Sequence, residues 1–195
     1  MAVAGHRRVG SESSATRHKL LDTVERMMLE DGYAAVTYRA LATSAGVTPG
    51  LVQYYFPTLD ELFVATIRRR SEQNLDRLRA ALDGGEHPLK VLWYYSNNEA
   101  TAALTTEFMA LGNHRKSIRS AISDFTLEVR KLQFEVLADH ADDVWTLELS
   151  REALLFLVTA VPKMLLLEQD VDIDAGHREI VRAIEARLAV LEPPN

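Results

Sequence analysis

Apolar residues along this chain recur every three or four positions and rarely alternate with polar ones, the spacing of helices that bury one face. Leu20, Leu21, Val24, Met27 and Met28 mark the inner face of a first helix expected over residues 16–32. Thr58-Leu59-Asp60-Glu61 has the form of a capping box and opens a long helix towards Leu82, with Leu62, Phe63, Ile67, Leu75 and Leu78 along its stripe. Asp83-Gly84-Gly85 followed by His87-Pro88 breaks the pattern. Shorter helices are expected over 89–95 and 99–112, then a corner at 113–116 and a strongly amphipathic helix over 117–140. After an acidic linker at 139–143, Ser150 can cap a helix over 151–168 that is apolar almost all round. Pro162 should kink or break it. Asp174 is expected to cap a last helix, 174–191, with Ile180, Ile184, Leu188 and Leu191 as its stripe. No segment reads convincingly as a strand, so the fold class is all-α.

Residues 37–56, TYRALATSAGVTPGLVQYYF, form the densest local pattern. Leu41 and Ala45 share one face of a short helix over 39–45, and Gly46 readily takes the left-handed backbone that ends a helix. Thr48 can cap the next helix, and Pro49 sits at its first position, where a missing N–H costs nothing. Over 49–55, Val52 and Phe56 can face inward, leaving Leu51, Gln53, Tyr54 and Tyr55 showing. Such a pair is either ordinary core packing or a helix-turn-helix, whose second helix is sized for the DNA major groove.

Thr37-x-Arg39-x-Leu41-Ala42, then Ala45-Gly46-Val47-Thr48-x-Gly50, then Tyr54-Tyr55-Phe56 together resemble the DNA-binding domain of the TetR family of bacterial transcriptional regulators. The resemblance runs over about residues 17–67. It implies an N-terminal three-helix helix-turn-helix domain over 16–70, preceded by a flexible basic arm over 1–15. A C-terminal helical ligand-binding and dimerisation domain would follow over 71–195. The function implied is a ligand-responsive regulator: a repressor that binds a palindromic operator in double-stranded DNA as a homodimer and is released by a small apolar or amphipathic effector. A constitutive DNA-binding protein with no effector is the alternative. Thr37, Arg39, Thr48, Tyr54 and Tyr55, with the Gly50 backbone beside Pro49, match family positions that chiefly meet phosphate, which positions the protein on DNA. Base reading would fall to Gln53, whose amide can pair with an adenine edge, or to Leu51 against a thymine methyl. Leu59 stands where the family commonly has a phosphate-binding Lys, Gln53 where Tyr is frequent and Leu51 where a small residue is frequent. The operator sequence is therefore beyond analogy, and the salt dependence of binding should be modest.

Charge changes this picture little. The net −6 divides into nine Lys/Arg against seven Asp/Glu over 1–70 and thirteen against twenty-one over 71–195, an acidic body behind a slightly basic head. Arg7 and Arg8 could follow the minor groove or touch nothing. With no cysteine, disulfides and thiolate sites are excluded. No apolar run is long enough to span a bilayer and none resembles a signal peptide, so a cytoplasmic protein with no membrane partner is expected. The six histidines are scattered, and no phosphate loop, zinc pair or nucleophile elbow is present. The chain does not read as an enzyme, and no cofactor or metal is expected.

In the resembled family the last two helices pair with their symmetry mates. Here that makes Leu155, Val158, Leu166, Ile180, Ile184 and Leu188 the candidate dimer contacts. A ligand pocket is mostly apolar with a few polar anchors. Trp93, Phe108, Met109, Phe125, Val129, Trp145, Phe156 and Met164 are its candidate lining, though such residues serve equally as core. Asn97, Asn98, Glu107, Asn113 and His114 are candidate anchors, while Arg68–Arg70 and His114-Arg115-Lys116 read as solvated.

Overall fold

The structure, a computed structural model, describes residues 14–138 and 149–191. Among these residues every regular element is helical: α1 (Ala15–Asp31), α2 (Tyr38–Ala45), α3 (Pro49–Tyr55), α4 (Leu59–Leu82), α5 (Pro88–Ser96), α6 (Glu99–His114), α7 (Lys116–Ala138), α8 (Arg151–Gln169) and α9 (His177–Leu188), with a 3-10 turn at Tyr33–Ala35. Residues 1–13 of the expected arm, the 139–143 linker and Trp145 lie outside the described residues. Two compact units divide the fold. One holds the described residues up to Arg70 together with Thr106–Ile122, and the other holds Ser71–Thr105 and those from Ser123 onward.

In the first unit, Leu20, Leu21, Val24 and Met28 of α1 are buried with Leu41, Ala45, Val52, Phe56, Leu62 and Phe63. Each of these side chains larger than Ala45 contributes about 1.5–3 kcal/mol relative to exposure, so this apolar set fixes where α3 lies. Gly46 ends α2 in the left-handed conformation, φ 65°. Thr58 accepts from the Glu61 N–H at 3.1 Å, as the capping box requires. Arg69 and Arg70 are not solvated, contrary to expectation. The Arg69 guanidinium meets Asp22 at 2.7 Å and Glu25 at 2.6 Å, and Arg70 meets Glu25 at 3.5 Å, tying α4 to α1. The corner between α6 and α7 is also tighter than the sequence suggested, a single residue, Arg115. Its guanidinium meets the Asp60 carboxylate at 2.5 Å and lies 5.8 Å from the Phe63 ring centroid, so this cation too is engaged.

Leu78, Leu89, Leu92, Trp93, Leu137, Leu155, Val158, Ile184 and Leu188 form the core of the second unit, where α8 packs on α5. α8 continues through Pro162 without a break. Pro162 still cannot donate to the Val158 carbonyl, and one turn earlier Thr159 turns its hydroxyl back to the Leu155 carbonyl at 2.8 Å. Asp174 does not cap α9. Gly176, left-handed at φ 84°, precedes the helix, and buried His177 meets the Glu168 carboxylate at 2.6 Å. α9 ends at Leu188, short of Leu191, whose carbonyl accepts from the Lys90 ammonium at 2.7 Å.

Candidate DNA-binding surface

Thr37 and Thr48 set the ends of the motif. The Thr37 hydroxyl accepts from Ala40 N–H at 3.2 Å to cap α2, and the Thr48 hydroxyl accepts from Leu51 N–H at 3.3 Å to cap α3. With Val52 and Phe56 buried, α3 has only one side to offer, and Thr37, Arg39, Thr48, Pro49, Gly50, Gln53 and Tyr54 are all exposed. Leu51 and Tyr55 are half-buried. The Tyr55 hydroxyl shares a hydrogen bond with the Ser14 hydroxyl at 2.9 Å, and its ring meets Tyr54 edge-on with centroids 5.3 Å apart. Tyr55 thus positions the entry to α1 and props Tyr54 outward, while Tyr54 is half exposed at 50%.

Gly50 is informative for what surrounds it. It does not hold a positive φ, and a Cβ built there would meet nothing within 4 Å. Glycine in a helix is disfavoured against alanine by about 1 kcal/mol. Gly50 sits in the first turn of α3, where that cost is smaller, and among the described residues nothing fills the space over it.

Two residues not singled out from the sequence complete the surface. Tyr38 donates its hydroxyl to the Phe56 carbonyl at 3.0 Å, fixing the end of α3. Burial, followed by the Glu61 charge, raises its pKa, so it remains a neutral donor. Arg17 lies over the Phe56 ring, 5.1 Å from the centroid, with no carboxylate partner among the described residues. A basic residue in the first turn of α1, where a helix dipole favours acids, was the available signal.

The segment Thr106–Ile122 holds the same unit from behind. Glu107, a candidate ligand anchor by sequence, instead accepts from Tyr33 N–H at 2.6 Å beside Gly32. Asp60 accepts from Arg115 and from the Ser117 hydroxyl, and these bonds, Ser117's first, hold its carboxyl below the usual range. Asn98 is likewise occupied, accepting from Thr101 N–H at 2.9 Å in the first turn of α6.

The candidate pocket and interface residues are scattered by burial. Trp93 belongs to the core of the second unit, and Phe108 is buried in the first. Met109 is 49% exposed, also in the first. Phe125 and Val129 are half-buried on α7, and Phe156 and Met164 are exposed on α8. Of the candidate dimer contacts, Leu155, Val158, Leu166, Ile184 and Leu188 are buried within the chain itself, and only Ile180 is exposed. Those five are taken up by the protomer's own packing.

Residues 20–66 match the family described as bacterial regulatory proteins, tetR family. The chain is 35% identical over 81 residues to the HTH-type transcriptional regulator BetI of Rhizobium meliloti (strain 1021), which covers 42% of this chain and 39% of that protein. It is 37% identical over 87 residues to the HTH-type transcriptional repressor KstR of Mycolicibacterium smegmatis, 44% of this chain and 43% of that one. The chain thus spans about two-fifths of the length of these curated relatives, which are regulators and not enzymes. Its fold extends further: it superposes on a TetR transcription regulator from Haloarcula marismortui with a TM-score of 0.70 at 17% identity, over 89% of this chain and 96% of that one. Among the described residues no helix is long and apolar enough to cross a membrane. Residues 20–66 thus carry the helix-turn-helix sequence of the bacterial regulatory proteins of the tetR family, within an all-helical fold like that of a solved TetR regulator.

Proposed function

We propose that this chain is a repressor that binds a palindromic operator as a homodimer and releases it when a small amphipathic effector binds the C-terminal body. The observation that carries the reading is the exposed face of α3, where Thr48, Gly50, Gln53 and Tyr54 are presented together while Val52 and Phe56 lock the helix from behind. Gln53 is the one amide on that helix and reads an adenine edge, while Thr37, Arg39, Thr48, Tyr54 and the Gly50 backbone meet phosphate. Dimerisation supplies two such heads to a two-fold site. Its contacts are the apolar side chains that α8 and α9 leave exposed, Met164 and Ile180, rather than those consumed in the protomer core.

Selection of bound duplexes from a random pool tests the reading. Recovery of an inverted repeat with half-sites about one helical turn apart, or a multiple of that, is the expected result. Recovery of unrelated sequences, or of a single half-site bound by a monomer, would sink it.

A further inference from the structure

Three polar side chains on α7 and α8 have no hydrogen-bond or carboxylate partner among the described residues. Gln133 is only 7% exposed, yet it makes no hydrogen bond to any described residue. Among the described residues the fully enclosed polar atoms without a partner are Arg69 Nε and His177 Nδ1, so the Gln133 amide keeps a narrow opening to solvent. Arg130 lies one turn earlier on the same side of α7. Its guanidinium is over the Phe156 ring of α8, 5.5 Å from the centroid, and it has no carboxylate partner among the described residues. Lys163 follows Phe156 by seven residues, two turns along the same side of α8, and it too has no acidic partner there.

Lys163 is open to solvent, yet desolvation by the surrounding protein, with the Arg130 charge second, lowers its pKa. The Arg130 charge therefore acts on Lys163 between α7 and α8, with the Phe156 ring beneath the guanidinium. Arg130 and Lys163 carry like charges with no acid paired to either among the described residues, so each raises the cost of charging the other. An anion from outside the chain would reverse that: the guanidinium can donate twice, the ammonium and the amide once each, to one carboxylate or phosphate head.

We propose that Arg130, Gln133 and Lys163 are the polar end of an effector site for a small amphipathic anion, whose apolar body lies along Phe156 and Val129. The proposal rests on the ligand-responsive reading above and gives the effector its charge. Decanoate, decyl phosphate and the neutral decanol, titrated calorimetrically into the full chain, test it. One or both anions bind about ten-fold or more tightly than the alcohol, and the tighter of the two identifies the head as carboxylate or phosphate. Arg130→Met and Lys163→Met each weaken the anion about ten-fold and leave the alcohol unchanged. Gln133→Leu weakens it too while the melting temperature holds or rises. Equal binding of alcohol and anions, no saturable binding of either anion at millimolar concentration, or unchanged affinity in both cation variants would overturn the site. So would a Lys163→Met protein that becomes monomeric yet keeps its anion affinity, since the cations would then belong to an acid on a second copy. Operator release is read separately. An anion that binds without releasing DNA supports the site and sinks the effector reading, whereas release by decanol alone does the reverse.

Discussion

Replacing Gly50 with alanine should push stability and DNA affinity in opposite directions. In the free chain the added Cβ meets nothing within 4 Å, and the backbone is not in the left-handed region, so alanine is tolerated without strain. It also removes the extra freedom of glycine from the unfolded chain, a gain of about 0.4–1 kcal/mol, near the low end here because Gly50 sits in the first turn of α3. On DNA the same methyl group occupies the space through which a phosphate would reach the backbone. Losing one charge-assisted contact costs about 1.5–3 kcal/mol per head, a ten- to hundred-fold loss for each half-site. Differential scanning fluorimetry and fluorescence anisotropy on the selected operator measure the two effects. A variant that melts higher and binds DNA as the parent does would show that nothing approaches this backbone. A variant that melts lower would show that the methyl group is not accommodated, and the premise fails earlier.

Three further outcomes are expected. Gln53→Ala should cost about 1–3 kcal/mol on the operator and little on unrelated DNA, relaxing preference at one base pair per half-site; an unchanged preference across single-base operator variants would pass the reading role to Leu51. Asp60→Asn should lower stability at neutral pH by about 1 kcal/mol, discounted because the carboxylate is 40% exposed. Its folded pKa is depressed by Ser117 and Arg115, so its contribution is complete above the ordinary value of 3.8 and is lost as pH falls through the lowered one. Parent and variant should therefore converge in acid, and a gap that persists there would mean the loss was packing. Met164→Glu should yield a folded monomer in sedimentation, whereas Ile184→Glu should unfold the second unit by more than about 3 kcal/mol; a dimeric Met164→Glu protein would place the interface elsewhere.

The head was legible because its signals are local. Gly46 at φ 65°, the Thr48 cap and the capping box at Thr58 each act within four residues, and all stand where the sequence placed them; the Thr37 cap, equally local, went unread. Asp174 failed as a cap for the opposite reason. Its rivals, left-handed Gly176 and the His177–Glu168 contact, join residues from separate helices, and a sequence window cannot weigh them. The same blindness affected charge. Arg69 and Arg115 read as solvated because their carboxylates lie 44 or more positions away in the chain.

Interface residues were the least legible, and the reason lies in what periodicity measures. A repeat of three and four identifies which face of a helix is apolar, but not whether its own protomer or a second copy covers that face. On α8 both faces are apolar: Leu155, Val158 and Leu166 form the buried one, and Phe156 and Met164 stand on the exposed one. The sequence could show that the helix had more apolar circumference than one neighbour covers, and could not assign the halves. Once the buried half is taken by α5 and α9, the exposed half must meet water, a ligand or another chain. The two cations on the α7 side, Arg130 and Lys163, argue for a charged guest at that edge, and Met164, free of them, argues for a partner helix on the outer side. The two faces can therefore be broken separately. Lys163→Met and Met164→Glu alter adjacent residues of one helix, yet the first should lose the anion and keep the dimer, and the second should lose the dimer first.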